Sequence, residues 1–233
     1  MSDLFHENLA RHDIAAIFGV MAYSQRHTFQ VLTKRPEQMW KFMVTASIQE
    51  CTVAAVDRLK AMNAEDSTTQ WPLPNIWLGV SVEDQKSATY RIPLLLDTPA
   101  AIRWLSYEPA LGSLDLSKIP STESLDWIVC GGESGPHARP MHIQWARSIR
   151  DQCIELGIPF FFKQWGEWAP GLGEKERFVH SIAGCSDFPS RAFGHDCSDF
   201  GDGYCAVRLG KKRAGNLLDD HLWLQYFKEK TNG

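Results

Sequence analysis

The chain has 233 residues, 44% hydrophobic and 22% charged, enough to bury the core of one β/α domain. Its formal net charge of −4 exerts no general pull on nucleic acid or anionic membrane, so binding of that kind needs a local patch. No apolar run approaches the ~20 residues of a membrane span, and the start Met1-Ser2-Asp3-Leu4-Phe5-His6-Glu7 lacks the basic and apolar regions of a signal peptide. A cytoplasmic protein without membrane partners is expected. The cysteines at 51, 130, 153, 185, 197 and 205 form no C-x-x-C pair and read as free thiols.

Residues 7–25 read as a helix, with Leu9, Ile14, Ile17, Phe18 and Met21 at helical spacing. A buried strand follows at 28–32. Arg35-Pro36-Glu37 starts a helical stretch that continues toward Leu59, since proline suits the first turn and an acid there suits the helix dipole. Residues 64–74 are polar, contain Pro72 and Pro74, and read as a loop. A strand at 76–82 leads to a helix near 84–96, interrupted at Pro93. A strand at 102–106 ends at Glu108-Pro109, and the residues to Pro120 are irregular. A strand at 127–130 runs into Gly131-Gly132-Glu133-Ser134-Gly135-Pro136. Residues 142–156 form an amphipathic helix closed by Gly157, and a strand at 158–162 follows. Cys130 in its apolar strand and Cys153 on its apolar helix face should be buried, unpaired thiols. The segment 170–206 shows no period, and a short helix is expected at 220–228.

Five apolar runs separated by helices are the rhythm of a parallel β/α protein, in which function gathers at the C-terminal strand ends. Lys34, Ser81, Glu83, Glu108, Glu133 and Lys163 stand at those ends and are expected around one mouth. Gly131 and Gly132 allow close backbone approach to a ligand or a positive φ. Glu133 beside them can accept hydrogen bonds from an amine or a ribose hydroxyl, with Ser134 in the same turn. A tight turn with a solvated glutamate is the plainer alternative. Glu83 and Glu108 can bind a cation, orient an amine or share a proton; equally, each can pair with Lys34, Arg35 or Lys163. Lys34 and Arg35 suit a phosphate or carboxylate, and Lys163 with Gln164 can do the same. Lys163 follows three phenylalanines, so its stem is expected in apolar surroundings. Trp165 and Trp168 read as an aromatic wall or as packing. Asp3 and His6 can act as an acid–base pair or metal ligands, although a capped turn explains Asp3 equally well. No metal centre is expected among the scattered histidines and cysteines of the late segment.

Seven stretches, in order, carry a resemblance. They are Ser2-Asp3-Leu4-Phe5-His6-Glu7, His27-Thr28-Phe29-Gln30-Val31-Leu32-Thr33-Lys34-Arg35-Pro36, Asn75-Ile76-Trp77-Leu78-Gly79-Val80-Ser81-Val82-Glu83, Leu105-Ser106-Tyr107-Glu108-Pro109, Gly131-Gly132-Glu133-Ser134-Gly135, Phe162-Lys163-Gln164-Trp165-Gly166 and Gly210-Lys211-Lys212-Arg213-Ala214-Gly215. Together they resemble the phage-associated family named for phage gene products thirty-seven and sixty-eight, a domain of unknown function. That family is similar to radical S-adenosylmethionine proteins. The resemblance implies a partial, TIM-like parallel β/α barrel and an N-terminal cysteine motif for a [4Fe–4S] cluster. No cysteine precedes Cys51, so the chain is expected to begin inside the family domain, without the cluster ligands. The expected organisation is a partial barrel over 1–168, an irregular insertion over 169–206 and a C-terminal segment over 207–233 packing on the barrel.

The leading functional expectation is a truncated, radical-S-adenosylmethionine-like phage or prophage protein. Gly131, Gly132, Glu133, Ser81 and Glu83 would line an adenosylmethionine or substrate pocket, and Lys34 and Lys163 would hold an anionic group. No cofactor is expected in this chain; S-adenosylmethionine and a cluster belong to a full-length version. One rival is a metal-dependent or acid–base hydrolase using Asp3, His6, Glu83 and Glu108. Another is a nucleic-acid-binding protein using Lys34, Arg35 and Lys211, Lys212 and Arg213.

Overall fold

The computed structural model describes residues 3–59, 70–171 and 196–227. Its main sheet has five parallel strands in the sequential order β1 (Phe29–Thr33), β2 (Ile76–Val82), β3 (Ile102–Tyr107), β4 (Trp127–Gly131) and β5 (Phe160–Gln164). The protein is therefore mixed α/β, with helices between parallel strands. No helix among the described residues is long and apolar enough to cross a membrane.

The strand β2 spans 76–82 as expected, and the other four run one or two residues past the ends predicted for them. Gly131, Lys163 and Gln164 lie inside strands rather than after them. Ladder hydrogen bonds are made by backbone and do not require apolar side chains. The β4–β5 pairing continues through a register shift at Cys130/Gly131, where Gly131 comes opposite Gln164.

The chain divides into two compact units. The first comprises Met1–Ser81, Thr89–Ser106 and Ile119–Asp126. Its helix α1 (Arg11–Tyr23) begins later than predicted, because residues 3–10 form turns. Ile17 is exposed. The buried face keeps the expected Ile14 and Phe18 and is completed by Ala15, Ala16, Gly19 and Ala22. A Cβ on Gly19 would stand 2.1 Å from the Cys51 carbonyl oxygen, and only small residues permit so close a helix approach. The predicted helix toward Leu59 is two helices, α2 (Pro36–Thr45) and α3 (Ile48–Leu59). Ala46 is extended between them, and the Ser47 hydroxyl accepts the Glu50 amide at 3.1 Å. Ser47 is an N-cap that the hydrophobic pattern obscured; the Glu50 carboxylate pairs with Arg11. Phe5, Phe18, Phe42 and Trp71 form an aromatic cluster in this unit.

The helix α4 (Gln85–Leu96) contains Pro93 without interruption. A proline removes one hydrogen bond there, yet Leu95 on the following turn is fully buried.

The second unit comprises Val82–Ala88, Tyr107–Lys118 and Trp127–Gly233. The helix α5 (Ile143–Leu156) buries Ala146, Ile149 and Cys153 and ends at Gly157 in the left-handed region, as its sequence indicates. Cys130 and Cys153 are fully buried free thiols. Burial pushes the Cys130 thiol well above its ordinary range and the Cys153 thiol up to about 12.

The predicted C-terminal helix is absent from the described part of 220–228, and an extended strap takes its place. The Phe162 amide donates to the Trp223 carbonyl at 2.8 Å, the Gln225 amide to Phe160 at 3.1 Å, and the Phe160 amide to Gln225 Oε1 at 2.9 Å. Edge backbone groups of β5 gained more from these partners than a short helix could offer, given its nucleation cost.

Most of 169–206 lies outside the described residues. Its flanks build a small antiparallel sheet of β6 (Trp168–Gly171), β8 (Cys205–Arg208) and β7 (Cys197–Asp199), in that order. Trp168 packs with Ala138, Ala206 and Phe200 and donates its indole N–H to the Ala138 carbonyl at 2.7 Å.

Candidate functional site

The predicted site residues fall into two groups, one in each unit. In the first unit the Asp3 carboxylate accepts the Thr33 hydroxyl at 2.7 Å and 2.8 Å, the amides of Phe5 and Lys34 at 3.0 Å and 3.1 Å, and the Arg35 guanidinium at 3.3 Å. Burial opposes ionisation of Asp3. The Thr33 hydroxyl, the two amides and Arg35 outweigh it and hold the carboxyl below its ordinary range. Asp3 thus ties the N-terminal segment to the end of β1. The His6 ring nitrogen Nδ1 accepts the Asn8 amide at 3.1 Å, so each of this sequence pair has a local capping partner. Lys34 is exposed and Arg35 half-buried. Ser81 is buried, and its carbonyl accepts Arg91 at 2.6 Å.

In the second unit the ends of three successive strands meet. Lys163 Nζ stands 2.9 Å from Glu108 Oε2. The Gln164 amide nitrogen donates to Glu108 Oε1 at 3.4 Å and to the Ser134 hydroxyl at 3.1 Å. This carboxylate–ammonium–carboxamide–hydroxyl array joins β3, β4 and β5. The Lys163 side chain is 52% exposed; it sits on the solvent side of β5, not in the apolar surroundings expected, because successive strand residues alternate faces.

Gly131 and Gly132 have no positive φ. A Cβ on Gly131 would meet Glu108 Oε1 at 3.2 Å, and one on Gly132 would stand 2.0 Å from the Trp165 carbonyl oxygen. The pair therefore gives room to Glu108 and to the backbone that follows β5. Glu133 faces Arg139, which donates to both carboxylate oxygens at 2.8 Å and 2.9 Å and its amide to Oε2 at 2.8 Å. Hydrogen bonding to Glu133 raises the Arg139 guanidinium above its ordinary range, and the charge of Glu83 adds to this. Arg139 escaped the sequence reading because Gly135-Pro136 separates it from the strand. Glu83 is half-buried at the start of the turn to α4; its carbonyl accepts the amides of Leu111 and Gly112 at 2.8 Å and 3.2 Å.

Lys163 and Gln164 also line an open groove of about 420 Å³ with Lys211, Lys212, Gly215 and Asn216. The backbone of the C-terminal segment is pinned there. The Trp165 amide donates to Gly215 at 3.0 Å and its indole to Leu217 at 2.7 Å, and the amides of Leu209 and Gly210 both donate to Glu167 at 3.0 Å. Trp165 is 3% exposed and packs under this segment, so it forms no open aromatic wall.

Cys51, Cys130 and Cys153 do not fit an iron–sulfur cluster. Cys51, Cys130 and Cys153 are buried in α3, β4 and α5, and burial raises all three thiols, whereas clusters need clustered thiolates. Cys185 lies outside the described residues.

A parallel α/β sheet with polar strand ends defines the class of protein. The chain belongs to a family of proteins of unknown function (DUF5131), whose model matches residues 1–227. That match includes the 169–206 segment. The chain matches no curated protein and no solved structure.

Proposed function

We propose that this is a phage-associated, radical-S-adenosylmethionine-like protein on a partial β/α barrel. In this reading the strand-end array of its second unit binds a ligand carrying an ammonium and a carboxylate, as adenosylmethionine does. The observation that carries it is the Glu108–Lys163 pair at 2.9 Å with Gln164 and Ser134 beside it. Glu108 would hold the ligand's ammonium and Lys163 its carboxylate, each exchanging one opposite charge for another. Gln164 orients Glu108, and Ser134 orients Gln164. No radical step is assigned to this chain. The motif order supports the phage association, and the β/α order supports the partial barrel.

Isothermal titration of the purified chain with S-adenosylmethionine tests this. Binding is expected in the wild type, with Glu108→Gln and Lys163→Met each weaker by about 10-fold or more, the worth of a charge-assisted hydrogen bond. A wild type that binds nothing at about 1 mM ligand, the millimolar limit of specific recognition, overturns the assignment.

A further inference from the structure

The groove beside the strand-end array has a different chemistry from the array itself. Three of the six residues lining it are lysines, and Gln164 and Asn216 add two carboxamides. Among the described residues no carboxylate forms an ion pair with Lys211 or Lys212. Lys163 is the exception, paired to Glu108. Arg213 adjoins the two lysines, and all three side chains are exposed. On a chain of net charge −4, this is a concentrated positive patch against the overall sign.

The patch is held in place. Its short helix α6 (Lys211–Ala214) is anchored by the buried side chain of Ala214, and Leu218 a turn later is fully buried. The backbone bonds from Trp165 to Gly215 and from Gly210 to Glu167 fasten both ends of this segment. Lysines on a pinned backbone need less ordering on binding than lysines on a free tail. The groove is open to solvent, and no aromatic residue lines it. It therefore does not enclose a small molecule, and it offers no surface for stacking a base.

We infer that the Lys163–Lys211–Lys212–Asn216 groove binds the phosphates of a nucleic-acid strand running along it, through its backbone and without regard to base sequence. Ammonium groups contact successive phosphates, and Asn216 donates to a phosphate or sugar oxygen. Binding of this kind releases condensed counterions and weakens steeply with salt. Lys163 is common to this groove and the Glu108 array, but Lys211 and Lys212 take no part in that array, so variants of these two lysines test the inference apart from adenosylmethionine binding.

The test is fluorescence anisotropy with a labelled single-stranded DNA of about 20 nucleotides, enough to cover a binding site of several nucleotides, titrated between about 50 mM and 200 mM salt. The wild type should bind, and the Lys211→Gln/Lys212→Gln double variant should bind on the order of 10-fold more weakly, its log–log salt slope shallower by about 1.4. The Lys211→Arg/Lys212→Arg variant should restore binding. The double variant should titrate adenosylmethionine like wild type, whereas Glu108→Gln should keep the strand and bind adenosylmethionine about 10-fold or more weakly. Equal strand binding by wild type and double variant overturns the inference, as does a wild type that binds no strand. Displacement of the strand by an equal phosphate concentration of ATP also overturns it, since the ligand would then be a free nucleotide.

Discussion

The position a Cβ would take on Gly132 lies 2.0 Å from the carbonyl oxygen of Trp165. The end of β4 and the backbone after β5 are thus in contact with no side chain between them. The Gly132 amide donates to the Gln164 carbonyl at 2.9 Å, and the Glu167 amide donates to Glu133 at 2.9 Å. The glycine pair is a packing device that brings Ser134 within reach of Gln164.

Gly132→Ala should therefore destabilise the protein by about 1–3 kcal/mol or more, the usual cost of overpacking, because the obstacle is backbone. Gly131→Ala should cost less, since the Glu108 carboxylate it meets at 3.2 Å can swing away. Urea denaturation of both variants checks the order.

Asp219 ties the C-terminal segment to α5. Its carboxylate meets Arg147 at 2.7 Å and Arg150 at 2.5 Å. Burial opposes its ionisation, but the two guanidiniums outweigh burial and hold its carboxyl below the ordinary 3.8. A lowered carboxyl stabilises the fold above its unfolded value, and that contribution is lost as pH falls through the lower folded value. Asp219→Asn should be less stable than wild type near neutrality, with the difference shrinking below about pH 4. The replacement suits the backbone, because Asp219 has φ +53° and asparagine tolerates that region. Urea midpoints measured across pH check the convergence.

Gln225 Oε1 is the acceptor for the Phe160 amide on the edge of β5. Gln225→Leu leaves that amide without its partner and should cost about 1–3 kcal/mol. Thermal denaturation reads the loss, and size-exclusion chromatography should show more self-association, because a bared strand edge is a template for pairing.

Cys51, Cys130 and Cys153 should resist a thiol reagent in the native protein and react together on unfolding. All three are fully buried, and burial suppresses their thiolates. Labelling with and without urea, followed by peptide mapping, checks this. Cys197 and Cys205, half-buried on the small sheet, should react before them.

Strand positions were legible because each buried strand is a short apolar run bounded by polar residues. The helix α5 was legible because its amphipathic spacing and terminal Gly157 agree. The break between α2 and α3 was also written locally, in Ser47, but continuous apolar residues masked it. The strap over β5 was not legible. Residues near 220–226 have no strong preference of their own, and they take an extended form because Phe160 and Phe162 present backbone groups to them.

The candidate site shows the same division. Local sequence determined that Lys34, Glu83, Glu108, Glu133 and Lys163 stand at or beside strand ends, because the alternation of apolar runs and helical stretches sets where each strand stops. Only the tertiary structure decided their partners. It matched Asp3 with Thr33, Glu133 with Arg139 and Glu108 with Lys163, and it set Lys211 and Lys212 beside Lys163 across 48 and 49 positions of sequence (211 − 163 and 212 − 163). Hydrophobic periodicity acts over a few residues, whereas an ion pair or a groove depends on which distant backbones pack together, as Gly132 does on Trp165.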